Sequence, residues 1–426
     1  MFQTNFSAII YRKLPYYRVI KNILSNPTMN SLKKHCLLVF IALLLAGANG
    51  CAPKEATDSS INPKSMMNVN PGHTSQFIIG ESSNDGTPDW TVDLSGKYYK
   101  NPSIAVSVDK VFINGPSMML NVLEQETGKK VWLYNTRNSV TPAITDKSVF
   151  ITGSDNNLHA LDINDGHEQW QFDRGLNNSI DIGGSSPAVK DGFVYIGTSD
   201  GISVLDAVTG EEVRSYDPTN WWENLNPYHG EKFMGSSPAL EDGLVFFTSY
   251  IYNDDHVSGG LYAIEELTGE QKWSRVLESA TDVIVTDGIV FVGQRFGNIQ
   301  MFDAKTGETL PNLPCHGQPL PAIAHGTAFC VNGQNIEAVN VASAKTLWKF
   351  VAVREIQSSP VIAGESVYFG DGANKTPESG SLYSLDAVSG NLNWQRQLGN
   401  QITSSPAAIN GMIFTTSGEG IVSAFE

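Results

Sequence analysis

The chain has 426 residues, of which 39 are glycine and 20 are proline, and only 17% are charged. A hydrophobic share of 41% and an aromatic share of 10% exclude an intrinsically disordered chain. The formal charge of −16 opposes nucleic-acid binding, which needs a basic surface. Four cysteines without a CxxC pair are too few for a disulfide scaffold and do not indicate zinc.

The first 50 residues predict an export signal, because they contain six basic residues and no acidic one. After Met29, Lys33 and Lys34 precede an apolar run at 37–45 and small residues at 46–48. That run is too short to span a bilayer but suits a signal peptide. Met29 is therefore a candidate true start, and a long basic leader from Met1 is the alternative. Residues 51–426 carry 22 basic and 44 acidic groups, a charge of −22.

The leader ends in Ala48-Asn49-Gly50-Cys51, which resembles a bacterial lipobox. The resemblance implies that Cys51 is lipidated and becomes the mature N-terminus, on the periplasmic face of the outer membrane. Asn49 stands where lipoboxes usually have a small residue, so conventional cleavage with a free Cys51, leaving the protein in the periplasm or at the cell surface, stays open. Residues 51–86 are polar and without a sustained period, which predicts a flexible tether.

Residues 87–426 repeat one pattern eight times. Each copy has a proline-led strand A, a strand B with a small or β-branched residue before an aromatic one, a strand C, and a strand D that usually carries Trp. The eight aromatic residues of strand B are Phe112, Phe150, Tyr195, Phe246, Phe291, Phe329, Tyr368 and Phe414. Asp-Gly and Thr-Gly supply the turns. Four-stranded repeats of this length are typical of a β-propeller.

The ends of the chain complete one another. The last repeat stops after strand C at 421–425, and residues 89–94 supply an unassigned strand before the first strand A. Pairing the two protects the sheet edges. We therefore predict an all-β, eight-bladed propeller over 87–426, closed by an N-terminal strand that completes the last blade.

Residues 192–197, 205–211 and 380–387 resemble the PQQ-like propeller repeat, and the resemblance covers about 89–426. It implies that the recurrent Trp packs between neighbouring blades and is structural, which burial of so large a ring explains. The residues concerned are Trp90, Trp132, Trp170, Trp273, Trp348 and Trp394. Arg214 and Pro311 stand in this column in the two repeats that lack it.

Two branches of this family are relevant. Quinoprotein dehydrogenases are longer and typically carry calcium-binding carboxylates, a catalytic Asp and often adjacent cysteines, which this chain lacks. We therefore expect no enzyme activity, no PQQ, no calcium or other metal, and no catalytic residue; a quinone-dependent oxidoreductase is the alternative that this resemblance leaves open. The other branch comprises the propeller lipoproteins of the outer-membrane β-barrel assembly machine, which match in length, tether and blade number. This resemblance implies a protein-binding scaffold for outer-membrane assembly, although that branch's partner loops are not recognisable here.

The strand order places A–B and C–D turns on one face, the short-turn face, and B–C and D–A connections on the other, the loop-rich face. The long insertions at 174–184, 216–235, 250–259 and 372–380 all fall on the loop-rich face, where binding usually resides. The predicted partner- or ligand-binding residues there are Trp221, Trp222, Glu223, Tyr228, His229, Tyr250, Tyr252, Asp254, Asp255 and His256.

Aromatic and acidic residues of this kind suit a protein hot spot, a carbohydrate or a small cationic ligand. Alternatively, Trp221 or Trp222 packs the loop onto the propeller, and Asp254, Asp255 and His256 form a solvated turn instead of a cation site.

The repeated Ser-Ser-Pro and the two propeller cysteines have structural interpretations. Ser-Ser-Pro occurs four times with no repeated histidine or other base beside it, whereas a nucleophilic serine would be unique. Cys315 and Cys330 lie in an exported segment, where a disulfide is possible. Two buried thiols are the alternative.

Overall fold

The computed structural model describes residues 76–77, 86–94, 102–115, 118–136, 140–175, 185–198, 201–217, 236–253, 256–278, 280–294, 297–372, 380–402, 404–418 and 420–426. The chain divides into two compact units, Met1–Ser59 and Ser60–Glu426, and every described residue belongs to the second. Regular structure in these ranges consists of β-strands. The export signal and Cys51 lie outside the described residues.

The strands form eight sheets, the eight predicted blades, so the fold prediction is confirmed. The strands of the first four blades are β3 (Ser103–Val106), β4 (Lys110–Asn114), β5 (Met119–Glu124), β6 (Lys130–Asn135); β7 (Ala143–Ile144), β8 (Ser148–Thr152), β9 (Asn157–Asp162), β10 (Glu168–Asp173); β11 (Ala188–Lys190), β12 (Phe193–Thr198), β13 (Gly201–Asp206), β14 (Glu212–Tyr216); β15 (Ala239–Glu241), β16 (Leu244–Asn253), β17 (His256–Glu265) and β18 (Gln271–Glu278).

The strands of the other four blades are β19 (Ala280–Thr286), β20 (Ile289–Gln294), β21 (Asn298–Asp303), β22 (Thr309–His316); β23 (Ala322–Ala324), β24 (Thr327–Asn332), β25 (Asn335–Asn340), β26 (Lys345–Val351); β27 (Val361–Ala363), β28 (Ser366–Gly370), β29 (Ser381–Asp386), β30 (Leu392–Gln397); and β31 (Ala407–Ile409), β32 (Met412–Thr416) and β33 (Ile421–Phe425). Two N-terminal strands, β1 (Gln76–Phe77) and β2 (Trp90–Asp93), join the last two blades.

Each blade is an antiparallel meander whose middle strands form the core. All five residues of β4 and of β8 are buried, because neighbouring blades cover both faces of a middle strand. The outer strands β6 and β10 alternate between exposed and half-buried residues. Five of the A–B turns have positive φ at both central residues, as at Asp191 (50°) and Gly192 (81°), which makes them tight.

The propeller is closed as the sequence predicts. Strand β2 pairs antiparallel with β33, with Trp90 opposite Ala424 and Asp93 opposite Ile421. The last sheet therefore has the order β2-β33-β32-β31, in which the N-terminal strand is the outer strand D.

Two segments differ in form from the expectation. The insertion at 250–259 continues the two middle strands of blade four as a hairpin, with Tyr250 opposite Gly259 and Asn253 opposite His256. Within the segment predicted as a tether, β1 pairs in parallel with the inner strand β27 of blade seven.

Candidate functional site

The interfaces between neighbouring blades share one construction. At the blade 1/2 interface, Trp132 donates its Nε1–H to the Ile163 carbonyl at 3.0 Å. A Cβ on Gly166 would lie 2.5 Å from the same ring, so only glycine fits beneath it. The equivalent indole–carbonyl pairs are Trp90–Gln125, Trp170–Ala207, Trp273–Ala304 and Trp348–Ala387. Each of these tryptophans therefore links its own blade to the next one. Trp394 makes the corresponding ring–glycine contact with Gly86.

The blade 3/4 interface replaces the indole with a polar network. Tyr216 takes the place of Trp: its hydroxyl donates to the Glu266 carbonyl at 2.6 Å, and its ring covers Gly269. Arg214 donates to the same carbonyl at 2.9 Å. The buried Glu266 carboxylate accepts from Lys190 Nζ at 2.6 Å and from the Tyr195 hydroxyl at 2.7 Å. The repeat alignment missed Tyr216 because it lies two residues beyond the Trp column.

The blade 5/6 interface has neither Trp nor glycine. Ala344 occupies the glycine position with a φ of 51°, and Pro311 occupies the Trp position. Here Cys315 of β22 and Cys330 of β24 form a disulfide, with their Cα atoms 5.4 Å apart. A covalent link thus joins the two blades where the aromatic contact is missing.

The inner ends of the blades are tied by the Ser-Ser-Pro motif. The first serine accepts the amide of a strand B residue twelve positions later, as Ser236 accepts from Thr248 at 2.9 Å. The second serine accepts an amide from the preceding blade, as Ser237 accepts from Ser186 at 3.0 Å. The other strand B clamps are Ser185–Gly197, Ser358–Gly370 and Ser404–Thr416. The motif is therefore a repeated structural clamp.

Asp282 stands where the second serine would be in blade five. Its carboxyl accepts from the backbone and the hydroxyl of Ser237, and burial raises its pKa. The sequence signal was the lack of proline in this repeat, where Val283 replaces it.

A second polar cluster joins blades one and two. His159 is 5% exposed. Its Nδ1 lies 2.9 Å from Glu168 and its Nε2 lies 3.1 Å from Asp155. Tyr134 donates to Glu168 at 2.7 Å. Burial opposes ionisation of Glu168, but the hydrogen bonds from Tyr134 and His159 outweigh it and lower its pKa. The cluster lies at an interface and is satisfied internally, which indicates a structural role.

The predicted partner residues are only partly covered by the structure. Trp221, Trp222, Glu223, Tyr228 and His229 lie outside the described residues, as do Asp254 and Asp255. The backbones of Tyr250, Tyr252 and His256 belong to the blade-four hairpin, where Tyr252 pairs with Val257.

The ends of the connection that contains Trp221 are held firmly. Tyr216, near its start, is bonded to blade four through Glu266. At its end, Ser236 donates its amide to the Thr248 carbonyl at 2.8 Å. The described ends of this connection therefore join blade three to blade four, the blade that also carries the hairpin.

The described residues contain one candidate metal cluster and one disulfide. Their one cluster able to hold a metal, Asp162, Asp165 and His167, lies in the C–D turn of blade two, away from the inner strands. The disulfide joins cysteines 15 residues apart instead of adjacent ones. Within the described ranges, no helix has the length and apolar character needed to cross a membrane.

Known proteins share this architecture. The chain aligns with a europium-containing methanol dehydrogenase at a TM-score of 0.67 and 13% identity, covering 87% of this chain and 98% of the other. At this low identity the similarity shows the fold alone. BamB from Moraxella catarrhalis aligns with a TM-score of 0.57 and 19% identity, covering 80% and 97%.

Sequence comparison finds relatives in both branches, including the quinohemoprotein alcohol dehydrogenase of Comamonas testosteroni, 29% identical over 157 residues, which are 33% of this chain and 21% of that protein. The outer membrane protein assembly factor BamB of Shewanella oneidensis is 24% identical over 239 residues, which are 51% of this chain and 57% of that protein. The alignment thus spans little more than half of the relative. The family model described as outer membrane protein assembly factor BamB matches residues 78–309, 179–377 and 332–426. Together these matches cover all eight blades, and the chain belongs to the BamB family of PQQ-repeat propellers.

Proposed function

We propose that this chain is a non-enzymatic scaffold that binds a protein of the outer-membrane assembly apparatus through the loop-rich face of blade four. The observation that carries the proposal is the hairpin β16–β17, whose ten-residue strands exceed the five or six residues of other middle strands. The connection between β14 and β15 leads into the same blade, and hydrogen bonds of Tyr216 and Ser236 fix its described ends. A rigid base presenting long insertions favours partner recognition.

The family supports the cellular setting. BamB relatives are named outer membrane protein assembly factors, and we propose the same setting here, with export through the leader and anchoring by a lipid on Cys51. We also propose that the scaffold works without a cofactor. Mass spectrometry of the mature N-terminus tests the lipid, and dye reduction with added PQQ and calcium tests the cofactor.

The partner surface is tested by matched pairs of substitutions. Trp221→Ala/Trp222→Ala should reduce co-purification of the assembly machine's barrel subunit from solubilised membranes at least tenfold, since aromatic hot spots dominate interfaces. Val208→Ala/Leu267→Ala is the control, because these residues are 81% and 77% exposed on the short-turn face. Equal recovery with both double variants, or no recovery with the wild type, contradicts the proposal.

A further inference from the structure

Blade seven has a fifth strand on its inner edge. Strand β1 pairs in parallel with β27, with Gln76 opposite Ile362 and Phe77 opposite Ala363. The sheet order β1-β27-β28-β29-β30 places β1 inside the innermost strand, on the side of the central channel. It also contacts β23, the inner strand of blade six. Among the described strands, the other seven blades have four each.

Strand direction tells which way the chain passes through the channel. Every strand A runs from the loop-rich face to the short-turn face, because it leads into an A–B turn. Since β1 is parallel to β27, it runs the same way. The chain therefore enters beside β27 from the loop-rich face and leaves on the short-turn face.

The position of Gly86 agrees with this direction. Gly86 packs on Trp394 as the C–D turn glycines pack on their tryptophans, which places it on the short-turn face. Arg396 fixes it there by donating to the Gly86 carbonyl and, at 3.1 Å, to the Thr87 hydroxyl.

The connection from β1 to Gly86 is long enough to reach from the inner edge of blade seven to its outer strand. Residues 78–85 reach up to about 27 Å when extended. Passing from β1 to the outer strand position of the blade takes four strand spacings, or about 19 Å. The chain can thus pass from the channel to the outer strand β2 over the short-turn face.

We propose that the N-terminal segment that contains β1 passes through the central channel, and that β1 occupies the inner edge of blade seven as a fifth strand. The edge presents unpaired backbone groups that an extended peptide can satisfy by strand addition. The chain's own segment has the advantage over any free peptide, because the short connection keeps its effective concentration near the millimolar range. The tether therefore joins the propeller on the loop-rich face, whichever residues of that face bind a partner.

Photo-crosslinking of the full chain tests the threading. With p-benzoylphenylalanine at position 77, irradiation should give intrachain adducts within β23 and β27, identified by peptide mass spectrometry. The control carries the same group at Val108, a 62% exposed residue of the A–B turn of blade one, and should not label β27. Adducts from position 77 confined to outer strands, or absent from blades six and seven, overturn the proposal.

Hydrogen exchange gives an independent readout that does not depend on partner binding. Gln76→Pro/Phe77→Pro removes two amides and bars strand addition. Exchange of the Val361–Ala363 segment should accelerate about tenfold, while Ala407–Ile409, the inner strand of blade eight, stays unchanged. An unchanged rate in Val361–Ala363 contradicts the inference.

Discussion

The closest contacts between blades are made by the smallest residue. Seven glycines, one at each of seven interfaces, would place a Cβ 2.5–2.9 Å from an aromatic ring of the preceding blade. The ring can lie flat on the turn only because glycine has no side chain and tolerates positive φ. The packing therefore requires both residues, and substituting either the glycine or the aromatic residue should disrupt it.

At Asp282, an ionisable carboxyl replaces the second serine of the repeated Ser-Ser-Pro clamp. Because burial raises its pKa, ionisation costs folding energy, and the stabilising contribution is present at low pH and is lost as pH rises through the folded-state pKa. Asp282→Ser, which restores the residue of the other blades, should raise the Tm at pH 8 by roughly 2 °C, equivalent to about 1 kcal/mol. Scanning calorimetry between pH 4 and pH 8 measures this.

The pH profile separates the charge from the packing. The gain from Asp282→Ser should shrink towards pH 4, because the fraction of protonated wild-type carboxyl increases as pH falls. Asp282→Asn keeps the shape and an acceptor for Ser237, and should show the same loss of pH dependence. A gain that is equal at both pH values contradicts the assignment.

At the scale of elements, the two interfaces without Trp are stabilised by different contacts in place of the indole–carbonyl hydrogen bond. The blade 5/6 interface uses a disulfide between β22 and β24, and the blade 3/4 interface uses Glu266 and its four partners. The latter includes Tyr216, which lies near the start of the connection that contains Trp221.

Removing the acid should weaken that interface specifically. Glu266→Ala leaves Lys190 and Tyr195 without their carboxylate, and breaking a buried ion pair costs about 3 kcal/mol. The neighbouring Glu265→Ala is the control: it removes a solvent-accessible acid bonded to Thr268 and Lys272 and should shift the unfolding midpoint much less. Urea unfolding measures both, and similar midpoints for the two variants contradict the role of Glu266.

The sequence predicted the elements better than the contacts between them. Blades, turns and the Trp column follow from local periodicity and from Asp-Gly or Thr-Gly turns, which act within a few residues. Glu266 and Lys190 are 76 residues apart, and no local pattern pairs them. The hairpin at 250–259 was readable from its strand-forming Tyr-Ile-Tyr run. The pairing of β1 was not, because two residues carry no period.

At the scale of the whole molecule, strands from both ends of the chain close the ring. β2 and β33 form the joint, and Trp90 ties it to blade one through Gln125. Trp348 makes the same kind of contact between two blades that are consecutive in sequence, since both indoles donate to a backbone carbonyl at 3.0 Å. Phe414 lies 5.9 Å from the ring of Trp90, and Phe329 lies 5.8 Å from that of Trp348. The two sites thus differ mainly in connectivity.

Truncating either indole should therefore cost similar energy but release different structures. Trp90→Ala and Trp348→Ala should each lower the free energy of unfolding by about 3 kcal/mol, the lower range for such substitutions. Only Trp90→Ala should free the closing strand, because no turn joins β2 to its neighbour β33, whereas a C–D turn joins β26 to β25. Limited proteolysis followed by mass spectrometry should then show faster cleavage within 86–94 in Trp90→Ala alone. Equal cleavage there in both variants would show that ring closure does not depend on this joint.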